Sequence, residues 1–233
     1  VEAMCNNAAD IAFVGSVTYL QAQKRDCAEL LAVAVKSGRS VYYSGVFVRA
    51  DSPVRSIADH RGRRVAFGDV NSTSAFIFPV AMFLDAGIDP VRDLSAVRMT
   101  GTHANSLAAL INGEVDAAAL SFDSYDKAVR ANVPGARDLR VIARSEPIPY
   151  PPLIANMRLA PALRARLRDA FETIDRTPGI TPEMIRGYGG ARVDGYVGHV
   201  PAGHFEPATR KMAQVTPALK DEMLRKAAER AAR

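Results

Sequence analysis

The stretch Arg64-Val-Ala-Phe67-Gly68-Asp69-Val-Asn71-Ser72-Thr73-Ser74, followed by the apolar run Ala75-Phe-Ile-Phe-Pro-Val-Ala-Met-Phe-Leu84, decides the fold. Arg64–Phe67 is strand-sized, Gly68–Asn71 is a polar turn, and the run from Ser72 to about Ala86 has the length of a helix, stopped by Gly87-Ile88-Asp89-Pro90. A strand passing through one turn into a helix is the repeating unit of a parallel sheet. The unit recurs downstream: strand Ala96–Met99 and helix Ala104–Asn112, then strand Val115–Leu120 and a helix from about Asp123 to Arg130, then strand Leu139–Ala143. This alternation predicts an α/β protein with a largely parallel sheet covered on both faces.

Upstream, Val1–Asn6 reads as the end of a helix, Asp10–Val14 as a short strand, Val17–Gln23 as a helix, and Leu30–Val35 and Val41–Arg49 as strands. Ser145–Pro152 holds four prolines and reads as a rigid connector, because proline belongs neither in a sheet centre nor in a helix interior. Beyond it come strand Leu153–Met157 and helices at Pro161–Ile174, Pro182–Tyr188, about Phe205–Val215 and Pro217 to the C-terminus. The simplest arrangement is two lobes, one from residues 1–51 and 146–233 and the other from 52–145, with crossings near Arg49–Ser52 and Ser145–Pro152 and a cleft between them for a small molecule.

Composition narrows the class. The 233 residues are 48% hydrophobic, enough to bury a substantial core, and no apolar run reaches the ~20 residues that span a bilayer. Thirty basic against 25 acidic residues give a formal charge of +5. That favours anionic ligands, but the scattered Lys and Arg and few aromatics argue against nucleic acid. Cys5 and Cys27 are the only cysteines, either one bridge or two separate core thiols. No spacing of His, Cys or acids suggests a metal, and no motif calls for a cofactor.

The chemistry concentrates at strand-to-helix turns. The first N–H groups of a helix lack internal partners and sit at its positive end, so Ser72, Thr73 and Ser74 with the backbone behind them suit an oxyanion. A single N-cap serine would explain only one of these hydroxyls. Gly101-Thr102-His103 repeats the design one strand later, and His103 could serve as a cap or as a donor that carries charge when protonated. Ser16, and Ser121, Asp123 and Ser124, lie at comparable edges, with Tyr19, Tyr42 and Tyr43 as aromatics for a cleft or a core.

Together Asp10-Ile-Ala-Phe-Val-Gly15, Tyr42-Tyr-Ser44, Val46-Phe-Val-Arg-Ala-Asp-Ser52, Asp69-Val-Asn-Ser-Thr-Ser-Ala75, Gly101-Thr-His103 and Val115-Asp116 resemble the phosphonate/phosphite/phosphate-binding proteins of ABC importers. The resemblance implies a two-lobed type II periplasmic-binding-protein fold and a ligand set of Ser72, Thr73, Ser74 and His103, to which Ser16, Tyr43 and Asp123 are added. It implies a periplasmic or lipid-anchored, monomeric protein that is not an enzyme, with a membrane permease and a small phosphorus oxyanion as partners. Aminoalkylphosphonate binders of this kind carry an acid where Pro151 stands, which disfavours an ammonium-bearing ligand, and Val14 replaces an aromatic found in some relatives. Such a fold opens with a β-α-β unit before the helix ending near Asn6. Its absence predicts an N-terminally truncated first lobe with an apolar sheet edge.

Two other readings compete. A ligand-sensing domain of the same fold would be coupled to a signalling protein. An enzyme would use His103, Asp116, Asp123 or Asp126, but no nucleophile elbow or dinucleotide loop accompanies them.

Overall fold

The computed structural model describes residues 1–231. In chain order its elements are α1 (Glu2–Cys5), β1 (Ile11–Phe13), α2 (Ser16–Lys24), β2 (Ala28–Val35), β3 (Val41–Tyr42), β4 (Ser44–Arg49), β5 (Arg64–Phe67), α3 (Phe78–Asp85), β6 (Ala96–Met99), α4 (His103–Ile111), β7 (Ala117–Ser121), α5 (Phe122–Arg130), β8 (Leu139–Arg144), β9 (Ile148–Pro149), β10 (Pro152–Asn156), α6 (Pro161–Glu172), β11 (Gly195–Val197), α7 (Glu206–Gln214) and α8 (Pro217–Ala231). The final helix was expected to run to the C-terminus, and its last two residues lie outside the described ones.

The chain forms two compact units, Val1–Tyr42 with Ile148–Thr209, and Tyr43–Pro147 with the segment from Arg210 on. Relative to the expected division at 51/52 and 145/146, the first change falls earlier, because Val41–Arg49 is not one strand. Val41–Tyr42 pair with Ile148–Pro149, whereas Ser44–Arg49 pair with β7 and β8. An unbroken β-rich run carries no mark of where its pairing partner changes. The proline-rich Ser145–Pro152 stretch contains the second change and also supplies β9. A third falls at 209/210, so α8 belongs to the second unit, with Met223 fully buried and Lys226 Nζ donating to the carbonyls of Val91 and Leu94.

In the first unit the sheet order is β1-β10-β2-β11 with every neighbour antiparallel. This corrects the expectation of parallel strands, since apolar runs buried on both faces look alike in either direction. Leu153 and Ala155 face Leu31 on one side together with Leu167 and Phe171 of α6, while Ile154 packs with Met4, Tyr19 and Ala22 on the other. Cys5 and Cys27 are disulfide-bonded, tying the end of α1 to the residue before β2. The expected helix at 182–188 is replaced by turns, because Gly187, Gly189 and Gly190 reverse the chain, with positive φ at the last two, and Arg186 bridges Arg192. The strand β11 after it was not anticipated.

The second unit holds a five-stranded sheet in the order β6-β5-β7-β4-β8. Strands β6, β5 and β7 are parallel, as the alternation predicts, and β4 runs antiparallel to both its neighbours. Successive residues of β5 serve opposite faces: Ala66 packs with Leu107 and Leu110 of α4, and Phe67 packs edge-on against Phe76 and Phe83. These three rings are fully buried, each stabilising the unit by roughly 2–3 kcal/mol. The C-terminal ends of β5, β6, β7 and β8 and the start of β4 therefore share one edge, and the candidate residues of this unit lie there.

Candidate functional site

The turn after β5 is built around glycine and proline. A Cβ on Gly68 would fall 2.5 Å from the Cβ of Ala75, so only glycine lets the strand end and helix start touch. Ser72 is the N-cap, its Oγ accepting from Ala75 N at 3.1 Å, and the helix opens with one π turn, Thr73–Ile77. Pro79 frees two carbonyls of that turn. Proline has no N–H, and the Phe78 N–H is spent on Thr73 O. The Ser74 and Ala75 carbonyls are thus left without helical partners, and both are used to fix the turn. Ala75 O accepts from Gly68 N at 2.9 Å and Ser74 O accepts from Ser44 Oγ at 2.5 Å. Local π spacing of this kind is frequent at functional sites.

The second turn brings His103 to the same place. Thr102 caps α4 by accepting from Asn105 N at 3.1 Å, and Thr100 Oγ1 lies 2.6 Å from Ser106 Oγ. His103 Nδ1 is 3.2 Å from the backbone nitrogen of Ser121, a group that can only donate. Nδ1 therefore carries the lone pair, and the proton of the neutral ring sits on Nε2. Nε2 lies 3.3 Å from Ser74 Oγ and donates to it, which leaves the Ser74 hydroxyl proton to be offered elsewhere. Burial pushes the imidazole down to about 4, so the ring is neutral at pH 7. The sequence had left a charged His103 open. The structure instead forms a polarised chain of neutral donors, Ser121 N–H to His103 to Ser74.

Thr73 and Ser74 are buried, and Ser72 and His103 are partly buried. Ser121 caps α5 by accepting from Ser124 N at 3.1 Å, and Asp123 lies in the first turn of that helix, partly buried. Tyr43 accepts from Phe122 N through its carbonyl at 3.0 Å, and the Arg144 guanidinium sits 3.7 Å from the centre of its ring. The second unit thus brings Ser72, Thr73, Ser74, His103, Asp123 and Tyr43 to one sheet edge. Ser16 belongs to the first unit, where it is buried and its hydroxyl donates to Pro149 O at 3.1 Å.

The remaining candidates have structural partners. Asp116 accepts from Arg64 N, Nε and Nη2 at 2.8, 3.1 and 2.7 Å, and these bonds hold its carboxyl below the usual range. Tyr19 is core, packed on Phe205, and Tyr42 stacks on Tyr150. No group of three His, Cys, Asp or Glu suited to a metal occurs among the described residues. Sequence reasoning missed the Ser121 N–H and the Ser44 hydroxyl. A third strand-to-helix turn at Ser121 was a visible signal, whereas Ser44 reaches the Ser74 carbonyl through antiparallel pairing that local sequence does not encode.

A sheet edge of capped helix starts, carrying hydroxyls and one neutral imidazole, defines a binding protein of the two-lobed type II periplasmic class. The binding-protein component of an ABC phosphonate transporter from Pseudomonas aeruginosa shares the fold, with a TM-score of 0.74 over 99% of this chain and 80% of that one at 23% identity. The chain belongs to the family of periplasmic substrate-binding proteins of phosphonate ABC transporters, whose pattern matches residues 1–198. Among its relatives, the phosphonates-binding periplasmic protein of Escherichia coli is 28% identical over 183 residues, and the phosphate-import protein of Mycolicibacterium smegmatis is 30% identical over 185. Those alignments cover 76% and 73% of this chain but 54% and 57% of the relatives, so the chain spans little more than half their length. The family is one of binding proteins rather than catalysts, and its members work outside the cytoplasm.

Proposed function

We propose that this chain binds a small phosphorus oxyanion, a phosphonate, phosphite or phosphate, on the Ser72–Ser74 turn and His103, with Tyr43 and Asp123 at the margin of the same edge. The complex is presented to the membrane permease of an ABC importer, in the periplasm or at the outer face of a membrane, by a monomer that performs no reaction. The observation that carries this reading is the donor chain from Ser121 N–H through the neutral His103 to Ser74, which ends in a hydroxyl proton beside the start of a helix. Hydrogen bonds from neutral donors to a charged acceptor contribute about 1.5–3 kcal/mol each, so a few suffice for a micromolar complex without a buried counter-charge.

Calorimetric titration of the protein with phosphite, methylphosphonate, phosphate and sulfate tests it. Binding of at least one phosphorus oxyanion, weakened by Ser74→Ala, is the expected outcome. Failure of all four to bind would remove the proposal.

A further inference from the structure

We propose that Arg144 is a subsite for a second, anionic group on the ligand, so that the protein favours phosphonates bearing a carboxylate over those bearing an ammonium. The inference rests on the oxyanion reading and adds the charge of the substituent.

Arg144 ends β8 at the edge that holds the serine turn, and its partner in register is Gly45, next to Ser44, which anchors Ser74 O. Its guanidinium lies 3.7 Å from the centre of the Tyr43 ring and 5.2 Å from that of Phe122. A cation seated on an aromatic face is held in place while its N–H fork stays available at the rim. Gly45 makes this seat possible, since a Cβ there would come within 2.9 Å of Phe47 and 3.1 Å of Phe122, displacing the ring beneath the guanidinium.

Arg61, Arg64 and Arg98 of the same unit each pair with a carboxylate. Arg144 is exposed and forms no ion pair with any described residue. Arg144 lies opposite Gly45 in register, so its side chain shares the sheet face of Phe122, at the end of the same edge, and not the face on which Ser44 meets the Ser74 carbonyl. It is therefore placed to meet a substituent rather than the phosphorus oxygens. A substituent bearing an ammonium would be repelled by the guanidinium, and one bearing a carboxylate attracted to it. The charge of the substituent therefore tests whether Arg144 reads the ligand.

The test is calorimetry of the full chain with methylphosphonate, phosphonoacetate and aminomethylphosphonate, in wild type, Arg144→Gln and Arg144→Lys. Wild type should bind phosphonoacetate at least about 10-fold more tightly than aminomethylphosphonate, the effect of one charge-assisted hydrogen bond. Arg144→Gln should abolish that ratio while methylphosphonate changes by no more than about 2-fold, and Arg144→Lys should keep part of it. An unchanged ratio in Arg144→Gln, or a wild-type preference for aminomethylphosphonate, overturns the subsite while leaving the oxyanion reading intact. Failure of wild type to bind any of the three phosphonates overturns the subsite, and failure to bind phosphite and phosphate as well overturns both.

Discussion

Acidification should destabilise the second unit through His103, and the size of the effect follows from its burial. The imidazole is pushed from 6.5 down to about 4 in the folded state. As the pH falls below 6.5 the unfolded chain takes up the proton first, so stability present above that value is lost as the pH drops toward 4. At pH 4.5 the loss relative to pH 7 is on the order of 2–3 kcal/mol for this group alone. His60 and His204 are lowered by burial in the same sense, so the wild-type slope is a sum. His103→Gln isolates one contribution, because its amide can donate to Ser74 and accept from Ser121 N–H without titrating. The assay is urea unfolding followed by circular dichroism at pH 7 and 4.5, which suits a chain with no Trp. The stability lost between the two pH values should be smaller in the variant by on the order of 2–3 kcal/mol. Equal losses in wild type and variant would refute the buried, neutral imidazole, and with it the donor chain.

Gly68→Ala drives a Cβ to 2.5 Å from that of Ala75, and should cost about 1–3 kcal/mol in thermal or urea unfolding together with more than about 10-fold in methylphosphonate affinity. Pro79→Ala restores an N–H that competes for the carbonyls now held by Gly68 and Ser44. Oxyanion affinity measured by calorimetry should fall several-fold while unfolding stability changes by no more than about 1 kcal/mol. Reduction of the Cys5–Cys27 bridge, which closes a sequence separation of 22, should destabilise the first unit by about 3 kcal/mol, read as a lower melting transition in the presence of reductant.

The three strand-to-helix turns of the second unit were legible because their signals are local: an apolar strand, a polar turn, a hydroxyl at the cap and an apolar helix. Ser72–Ser74 and His103 could be picked out on that basis, and their convergence follows from the parallel order of β5, β6 and β7. Pairing between distant segments was not legible. Val41–Arg49 reads as one strand because nothing in its side chains marks Tyr43 as the point where the sheet partner changes. The antiparallel order of the first unit was hidden for the same reason, and the glycines after Arg186 outweighed a helical pattern at 182–188. The state of His103 depends on a backbone N–H supplied 18 residues later, which no residue type announces. Pro79 was in plain view, but its consequence, two carbonyls released to clamp the turn, required the positions of Gly68 and Ser44.

A crystal structure of the protein grown with methylphosphonate tests the central claim most directly. The phosphonate should lie at the start of the helix after β5, with one of its oxygens within hydrogen-bond distance of Ser74 Oγ and His103 Nε2 still donating to that hydroxyl. A phosphonate bound away from Ser72–Ser74, or a His103 ring turned so that Ser121 N–H no longer meets Nδ1, would contradict it.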